Sequence, residues 1–339
     1  MSLRDELLRR FPALRKLPAG CYVVGGAVRD LLLGRDPLDV DIAAVGAAQV
    51  ASLVRSRVIT LGRDPSAYRV IAGDRVYDFA DIQGVDIDED LGRRDYTMNA
   101  LAIDLATGAM LDRFGGERDA RDGIVRMVHA KNFDDDPLRI VKGVRMAVKY
   151  GFTIEPRTLD AIRTRAAMIS AVAAERVSAE LAMIFSSNAF SRATALLHET
   201  GLFDTLGFVD SDCSADDVSL AGAYALLVRD PREYAERWKW SDALLRDVIA
   251  LQRLMQSHDR MTLFDAGERV ARQLPPLIAN APLDWPDFSI RPLLTGDEIA
   301  AVTGLPPGKE LGARKRALLE AQVRGEVRTR EEAEHFVRQ

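Results

Sequence analysis

Two aspartates, Asp39 and Asp41, stand one residue apart at the end of a short unit that begins Val23-Val24-Gly25-Gly26-Ala27-Val28-Arg29-Asp30. In a strand, positions two apart point to the same face, so both carboxylates address one point in space. Paired carboxylates suit Mg²⁺, a hard cation that takes oxygen ligands and usually shares them with substrate phosphates. Upstream, Gly25 and Gly26 precede a helix-forming run. Backbone N–H groups can approach an anion closely there, and the helix dipole favours negative charge. A phosphate cradle beside a metal pair reads as phosphoryl or nucleotidyl transfer. The glycine spacing is not the G-x-G-x-x-G of dinucleotide-binding folds, and no Gly-Lys-Ser/Thr of a P-loop follows.

Two more clusters carry chemistry. Arg93-Arg94-Asp95-Tyr96-Thr97-Met98-Asn99 packs two guanidinium groups, a carboxylate and an amide into one short stretch. Arginine forks fit phosphate oxygens, while Asp and Asn side chains can bond ribose hydroxyls. Asp135-Asp136-Pro137-Leu138-Arg139 opens a helix. Asp136, Arg139, Lys142 and Arg145 recur every third residue, a polar stripe opposite Leu138, Ile140, Val141, Val144 and Met146. An Asp acceptor beside an Arg donor matches the exocyclic amine and ring acceptor shared by cytosine and adenine. Uracil and guanine present a ring N–H where the Arg needs an acceptor. The competing structural reading makes Asp136 an N-cap with Pro137 in the first turn.

The elements that must hold these groups follow from periodicity. Strands are predicted at Cys21–Val24, Val40–Ala44, Tyr68–Ile71, Val76–Asp81 and Ala100–Asp104. Helices are predicted at Val28–Leu33 and Ala47–Ser56. From Pro137 onward the pattern is almost wholly helical, with runs at Leu138–Tyr150, Pro156–Met168, Ala174–Phe185 and Ser191–Glu199. Gly and Pro cluster at Pro275-Pro276, 282–292 and Pro306-Pro307-Gly308, marking loops. The expected class is α+β, a small mixed head carrying an all-helical remainder.

Bulk properties narrow the partners. The chain has 339 residues, 47% hydrophobic and 29% charged, an ordinary globular composition. It has no apolar run of about 18 residues, so no membrane span or membrane partner is expected, and no apolar signal core near Met1. Two cysteines, Cys21 and Cys213, are too few for a disulfide framework, which fits a cytoplasmic protein. A net charge of −5 argues against indiscriminate nucleic-acid binding, though not against one basic groove. The four histidines lie far apart, and His258-Asp259 is a bare dipeptide.

Taken together, the motifs resemble the class II tRNA nucleotidyltransferase and bacterial poly(A) polymerase family. The matches are Gly25–Asp41, Arg93–Ala102, Asp112–Gly116 with Gly123–Arg126, Asp135–Arg139 and Glu175–Leu181. Leu294–Asp297, Pro307–Gly312 and Thr329–Ala333 are similar to the C-terminal segment of CCA-adding members. Residues 205–285 carry no matching motif. The resemblance implies a polymerase-β-like nucleotidyltransferase head (1–125), a helical neck with the base-reading helix (126–190), a helical body (191–275) and a helical tail (276–339). It implies Asp39 and Asp41 as ligands of Mg²⁺. Gly25, Gly26 and Arg29 would hold the triphosphate of CTP or ATP, and Arg94, Asp95 and Asn99 its phosphate or ribose. Asp136 and Arg139 would read the base, with Lys142 and Arg145 beside them. Asp78, on the strand before the Arg-Arg-Asp motif, is the expected third carboxylate.

The implied reaction is attack by the tRNA 3′-hydroxyl on the α-phosphorus of CTP or ATP with release of diphosphate, assisted by two metals. There are departures from the family pattern. The base-reading motif usually begins Glu-Asp, here Asp135-Asp136. The helix then carries Lys142, Gly143 and Met146 where Arg, Ala and Phe are usual, and Gly143 is expected to cost roughly 1 kcal/mol of helix propensity against Ala. Only about a dozen residues separate Phe79 from Arg93; members that complete C-C-A usually carry a longer flexible loop there, and members restricted to C-C lack it. The expected activity is therefore addition of C and A to tRNA 3′ ends, with CC addition alone favoured. The rivals are a poly(A) polymerase and a catalytically silent RNA-binding protein.

Overall fold

The computed structural model describes residues 2–60 and 67–339. Two compact units form: Met1–Ile184 with Ala193–Leu206, and Phe185–Arg192 with Gly207–Gln339.

The first unit begins with helix α1 (Leu3–Arg10), followed by β1 (Tyr22–Val24), α2 (Gly26–Leu32), β2 (Asp39–Ala44), α3 (Ala47–Ser52), β3 (Val58–Thr60), β4 (Ala67–Ala72) and β5 (Arg75–Asp81). Then come α4 (Ile87–Gly92), β6 (Leu101–Asp104), β7 (Met110–Asp112) and α5 (Gly116–Asp122). The seven strands form one sheet in the order β3-β4-β5-β2-β1-β6-β7. Only β2 and β5 run parallel, with Asp41 opposite Asp78; the other pairs are antiparallel. Val23, Val40, Ile42, Phe79 and Ile103 pack into one core with Ala27 and Val28 of α2. In β2 the apolar alternates bury while Asp39 and Asp41 stay exposed, the half-buried strand pattern.

Beyond the sheet lie β8 (Ile124–Val125), α6 (Lys131–Asp135), α7 (Leu138–Tyr150), β9 (Thr153–Ile154), α8 (Pro156–Arg163) and α9 (Ala174–Phe185). The sequence-predicted bounds of α7 and α9 agree with the structure. Two predicted helices end early. Ala47–Ser56 stops at Ser52, whose hydroxyl donates to Gln49 O (2.6 Å), and Arg55 takes a positive φ of 57°. Pro156–Met168 stops at Arg163, where Thr164 donates back to Asp160 O and Ala161 O, and a 3₁₀ turn follows over Ala166–Ala171. Hydroxyl groups that bond the preceding turn compete with helix continuation. The short strands β3 and β7 escaped the sequence reading; β3 is an exposed edge without apolar alternation.

The second unit is helical. Its tail packs Leu294, Ile299, Leu318, Ala321, Val327, Ala333 and Val337 into a small core. Asp259 caps the helix Arg260–Ala266 by accepting from Met261 N and Thr262 N, so His258-Asp259 serves a helix start. No helix among the described residues is long and apolar enough to cross a membrane.

Candidate functional site

One open cavity of about 410 Å³ in the first unit gathers the groups singled out above. Gly25, Gly26 and Arg29 border it from the β1–α2 turn, and Asp39 and Asp41 from β2. Arg94, Asp95 and Asn99 come from the segment after α4, and Asp136, Arg139, Lys142 and Arg145 from the start and polar face of α7. Asp78 is the one expected site residue outside its lining. The lining also holds Ala27, Asp30, Met146 and Lys149, outside the expected set; Met146, expected on the apolar face opposite the stripe, borders the cavity as well. Lys149 continues the stripe four residues beyond Arg145, a signal that was available; Asp30 follows Arg29 in the first motif.

The turn geometry explains the glycines. Gly25 has φ 73°, in the region that favours glycine. A β-carbon there would stand 2.9 Å from Arg94 Nη1 and 3.7 Å from Asp41 Oδ2. The turn therefore brings backbone against both the arginine and the carboxylate.

Asp41 is exposed toward the cavity, but protein surrounds it on its other sides. That desolvation raises its carboxyl to about 6, against the pull of Arg94 and with added repulsion from Asp39 and Asp78. A carboxylate whose charge is opposed by its surroundings, with a second one on the same face of the strand, suits a divalent cation. Asp78 is committed elsewhere: Arg69 on β4 donates to both of its oxygens, at 2.8 and 2.6 Å. Among the described residues no third acidic, His or Cys side chain joins Asp39 and Asp41 in a metal-sized cluster.

Arg29 is buried. Its Nε and Nη2 donate to Asp30 Oδ1 (3.0 and 2.9 Å), and its Nη1 donates to Asn99 Oδ1 (2.5 Å). Asn99 Nδ2 in turn donates to Asp95 Oδ1 (2.9 Å). Arg94 leans on Asp90 (3.0 Å). Burial pushes the Lys149 ammonium down, as do Arg29, Arg145 and Arg35, against Asp30.

Both ends of the α7 stripe are anchored by α9. Arg176 Nη2 donates to Asp136 Oδ2 (3.0 Å), and Arg145 Nε donates to Glu180 Oε2 (2.5 Å). Arg176 and Glu180 lie one helical turn apart, which gives the Glu175–Leu181 motif a physical role. Arg139 is fixed by donating from Nη1 to Arg93 O (2.6 Å) and Asn132 O (3.2 Å). The capping role expected for Asp136 is slight. Pro137 occupies the cap position, and Asp136 Oδ1 reaches Leu138 N only at 3.4 Å while its other oxygen is drawn to Arg176.

The Asp112–Gly116 motif is scaffold. Asp112 accepts from Gly116 N (2.7 Å) and Glu117 N (3.0 Å). Asp119, fully buried, accepts from Thr97 Oγ1 (2.8 Å) and Arg126 Nε (2.9 Å), tying α5 to the segment that presents Asp95 and Asn99.

Comparison with known proteins bears on what this site does. A family model described as "Poly A polymerase head domain" matches residues 21–86 and 77–126, and one described as "Probable RNA and SrmB- binding site of polymerase A" matches 151–207. The A-adding tRNA nucleotidyltransferase of Deinococcus radiodurans is 30% identical over 98% of this chain and 98% of its own length. The chain belongs to the tRNA nucleotidyltransferase family. The CC-adding member from Synechocystis is 33% identical over 71% of this chain, which spans 60% of that relative's length. Among solved structures, the CCA-adding enzyme of Bacillus stearothermophilus in complex with CTP superposes with a TM-score of 0.82 at 26% identity, covering 99% of this chain and 97% of that one. The fold is thus that of the family, a nucleotidyltransferase head with helical remainder. Relatives named CC-adding, A-adding and CCA-adding all occur among the matches.

Proposed function

We propose that this nucleotidyltransferase adds C residues from CTP to tRNA 3′ ends and stops at CC. The observation that carries the transfer reading is the one cavity that joins Asp39 and Asp41 of β2 to Asp136, just before α7, and Arg139 in its first turn. One wall offers paired carboxylates, the other an Asp acceptor beside an Arg donor. A nucleotide bound between them has its α-phosphate at the carboxylates and its base at α7.

In this reading Asp39 and Asp41 hold Mg²⁺, which supplies charge neutralisation and activation of the attacking hydroxyl when bound. Arg94, Lys142, Arg145 and Lys149 balance the triphosphate and the departing diphosphate. Asp95 and Asn99 meet the ribose. Asp136 and Arg139 select cytosine or adenine over uracil and guanine by pairing with the base edge. Asp78 orients Arg69 beside the carboxylates. Positioning and fixed charge do the rest. Residues 1–125 act as head, 126–190 as neck, and the body (191–275) and tail (276–339) hold tRNA by shape and backbone contacts.

The limit to CC rests on the connection between β5 and α4. Only residues 82–86 lie between Asp81 and Ile87, and they are tied down: Gln83 N donates to Asp90 Oδ1, Val85 N to Glu89 Oε2, and Asp86 caps α4 through Glu89 N. A site that must change from cytosine to adenine needs an element free to move. Incubation of the protein with tRNA and with unrelated RNA, each with CTP or ATP, tests the reading. Extension of tRNA alone supports it; ATP-driven extension of any RNA indicates poly(A) polymerase, and no incorporation indicates a silent RNA-binding protein.

A further inference from the structure

Beneath the cavity runs a chain of hydrogen bonds from the end of α7 to the segment after α4. Tyr150 Oη donates to Asp30 Oδ1 (2.8 Å), and the Arg29 guanidinium lies 4.8 Å from the Tyr150 ring centre. Asp30 Oδ1 accepts twice from Arg29, whose Nη1 donates to Asn99 Oδ1; Asn99 Nδ2 donates to Asp95 Oδ1. Tyr150 itself is not part of the cavity lining, whereas Asp95 and Asn99 are.

We infer that Arg29, oriented by Asp30 and Tyr150, is a positioning residue for recognition of the nucleotide's 2′-hydroxyl, rather than a phosphate contact. The inference rests on the reading of the cavity as a nucleoside triphosphate site. An amide offers an acceptor on one side and donors on the other. By donating to Asn99 Oδ1, Arg29 fixes which side of the amide faces Asp95. Asp95 Oδ1 is then filled by Asn99 Nδ2 and by Tyr96 N (2.8 Å). Its Oδ2 remains without a partner among the described residues, an acceptor for a donating sugar hydroxyl. A deoxyribose leaves that acceptor unpaired, and sites built to bond a hydroxyl reject analogues that lack it. Burial makes the device rigid: Arg29 is 5% exposed and Asn99 8%. A guanidinium with Nε, Nη1 and Nη2 each bonded to protein is poorly placed to follow a phosphate through a reaction.

The test is calorimetric binding of CTP and of dCTP, with Mg²⁺ and without RNA, to the full chain and to its Tyr150→Phe and Arg29→Lys variants. Tyr150→Phe removes one hydroxyl outside the cavity. The wild type should bind CTP more tightly than dCTP. Each variant should lower that preference about tenfold, the size of one hydrogen bond, and in Tyr150→Phe, whose hydroxyl lies outside the cavity, dCTP affinity should stay within about twofold. Equal weakening of CTP and dCTP is the result of a phosphate contact or a general loosening, and overturns the inference. So does an unchanged ratio in Tyr150→Phe, or a wild type without preference for the ribonucleotide. Failure of the tRNA reading shows separately, as absence of tRNA extension, and leaves the binding ratio unaffected.

Discussion

Tyr96 Oη lies 2.2 Å from the point where a β-carbon on Gly143 would stand, and donates a hydrogen bond to Arg139 O at 2.7 Å. The glycine that weakens α7 by local propensity is the one that lets Tyr96 seat beneath the polar stripe of α7. Tyr96 is fully buried and has no room to withdraw. Gly143→Ala should therefore destabilise by about 1–3 kcal/mol through overpacking, outweighing roughly 1 kcal/mol of propensity gained. Denaturant unfolding measures it. Because a β-carbon would still stand 2.9 Å from Tyr96 Cζ, adding Tyr96→Phe should restore only part of the loss.

Asp39→Ala and Asp41→Ala should each abolish nucleotide incorporation with little change in unfolding midpoint, since both side chains line the cavity and leave the core untouched. Turnover within about tenfold of wild type, a barrier change near 1.4 kcal/mol, would remove these carboxylates from the metal role.

Asp136→Ala and Arg139→Ala should relax discrimination against UTP and GTP more than they slow CTP incorporation, by more than about tenfold. Arg139→Ala also removes bonds to Arg93 O and Asn132 O, so its stability should fall by about 1–2 kcal/mol. Competition assays with mixed nucleotides separate the two effects. Unchanged selectivity with lowered stability in both variants would make the pair structural.

Asp119→Ala should cost about 1–3 kcal/mol by leaving the buried Thr97 hydroxyl without its acceptor, because Asp119 is 0% exposed and bonds both Thr97 and Arg126. Nucleotide affinity should fall with it, since Thr97 lies between Asp95 and Asn99. Thermal unfolding and CTP binding on one sample check both parts; loss of stability with affinity intact would detach the motif from the site.

Much of this site was legible because its spacing is local. The alternation of Asp39, Val40, Asp41 and Ile42 sets the face of β2, and the three-residue stripe on α7 emerges on the cavity as periodicity requires. What stayed hidden depends on pairs distant in the chain. The use of Gly143 needs Tyr96, and the commitment of Asp78 needs Arg69 on an antiparallel neighbour. Asp30 and Tyr150 meet only once α2 and α7 are assembled, 120 residues apart. Asp136 reads as a cap from sequence because its rival partner, Arg176, lies on another helix.

The proposed reaction is transfer of C from CTP to tRNA, ending at CC. The direct measurement is extension of tRNA ending at the discriminator base, at C and at CC, with CTP and ATP supplied separately and products resolved by length. CTP should carry the first two substrates to CC, and ATP should leave tRNA-CC unextended. Efficient conversion of tRNA-CC to tRNA-CCA by ATP would contradict it.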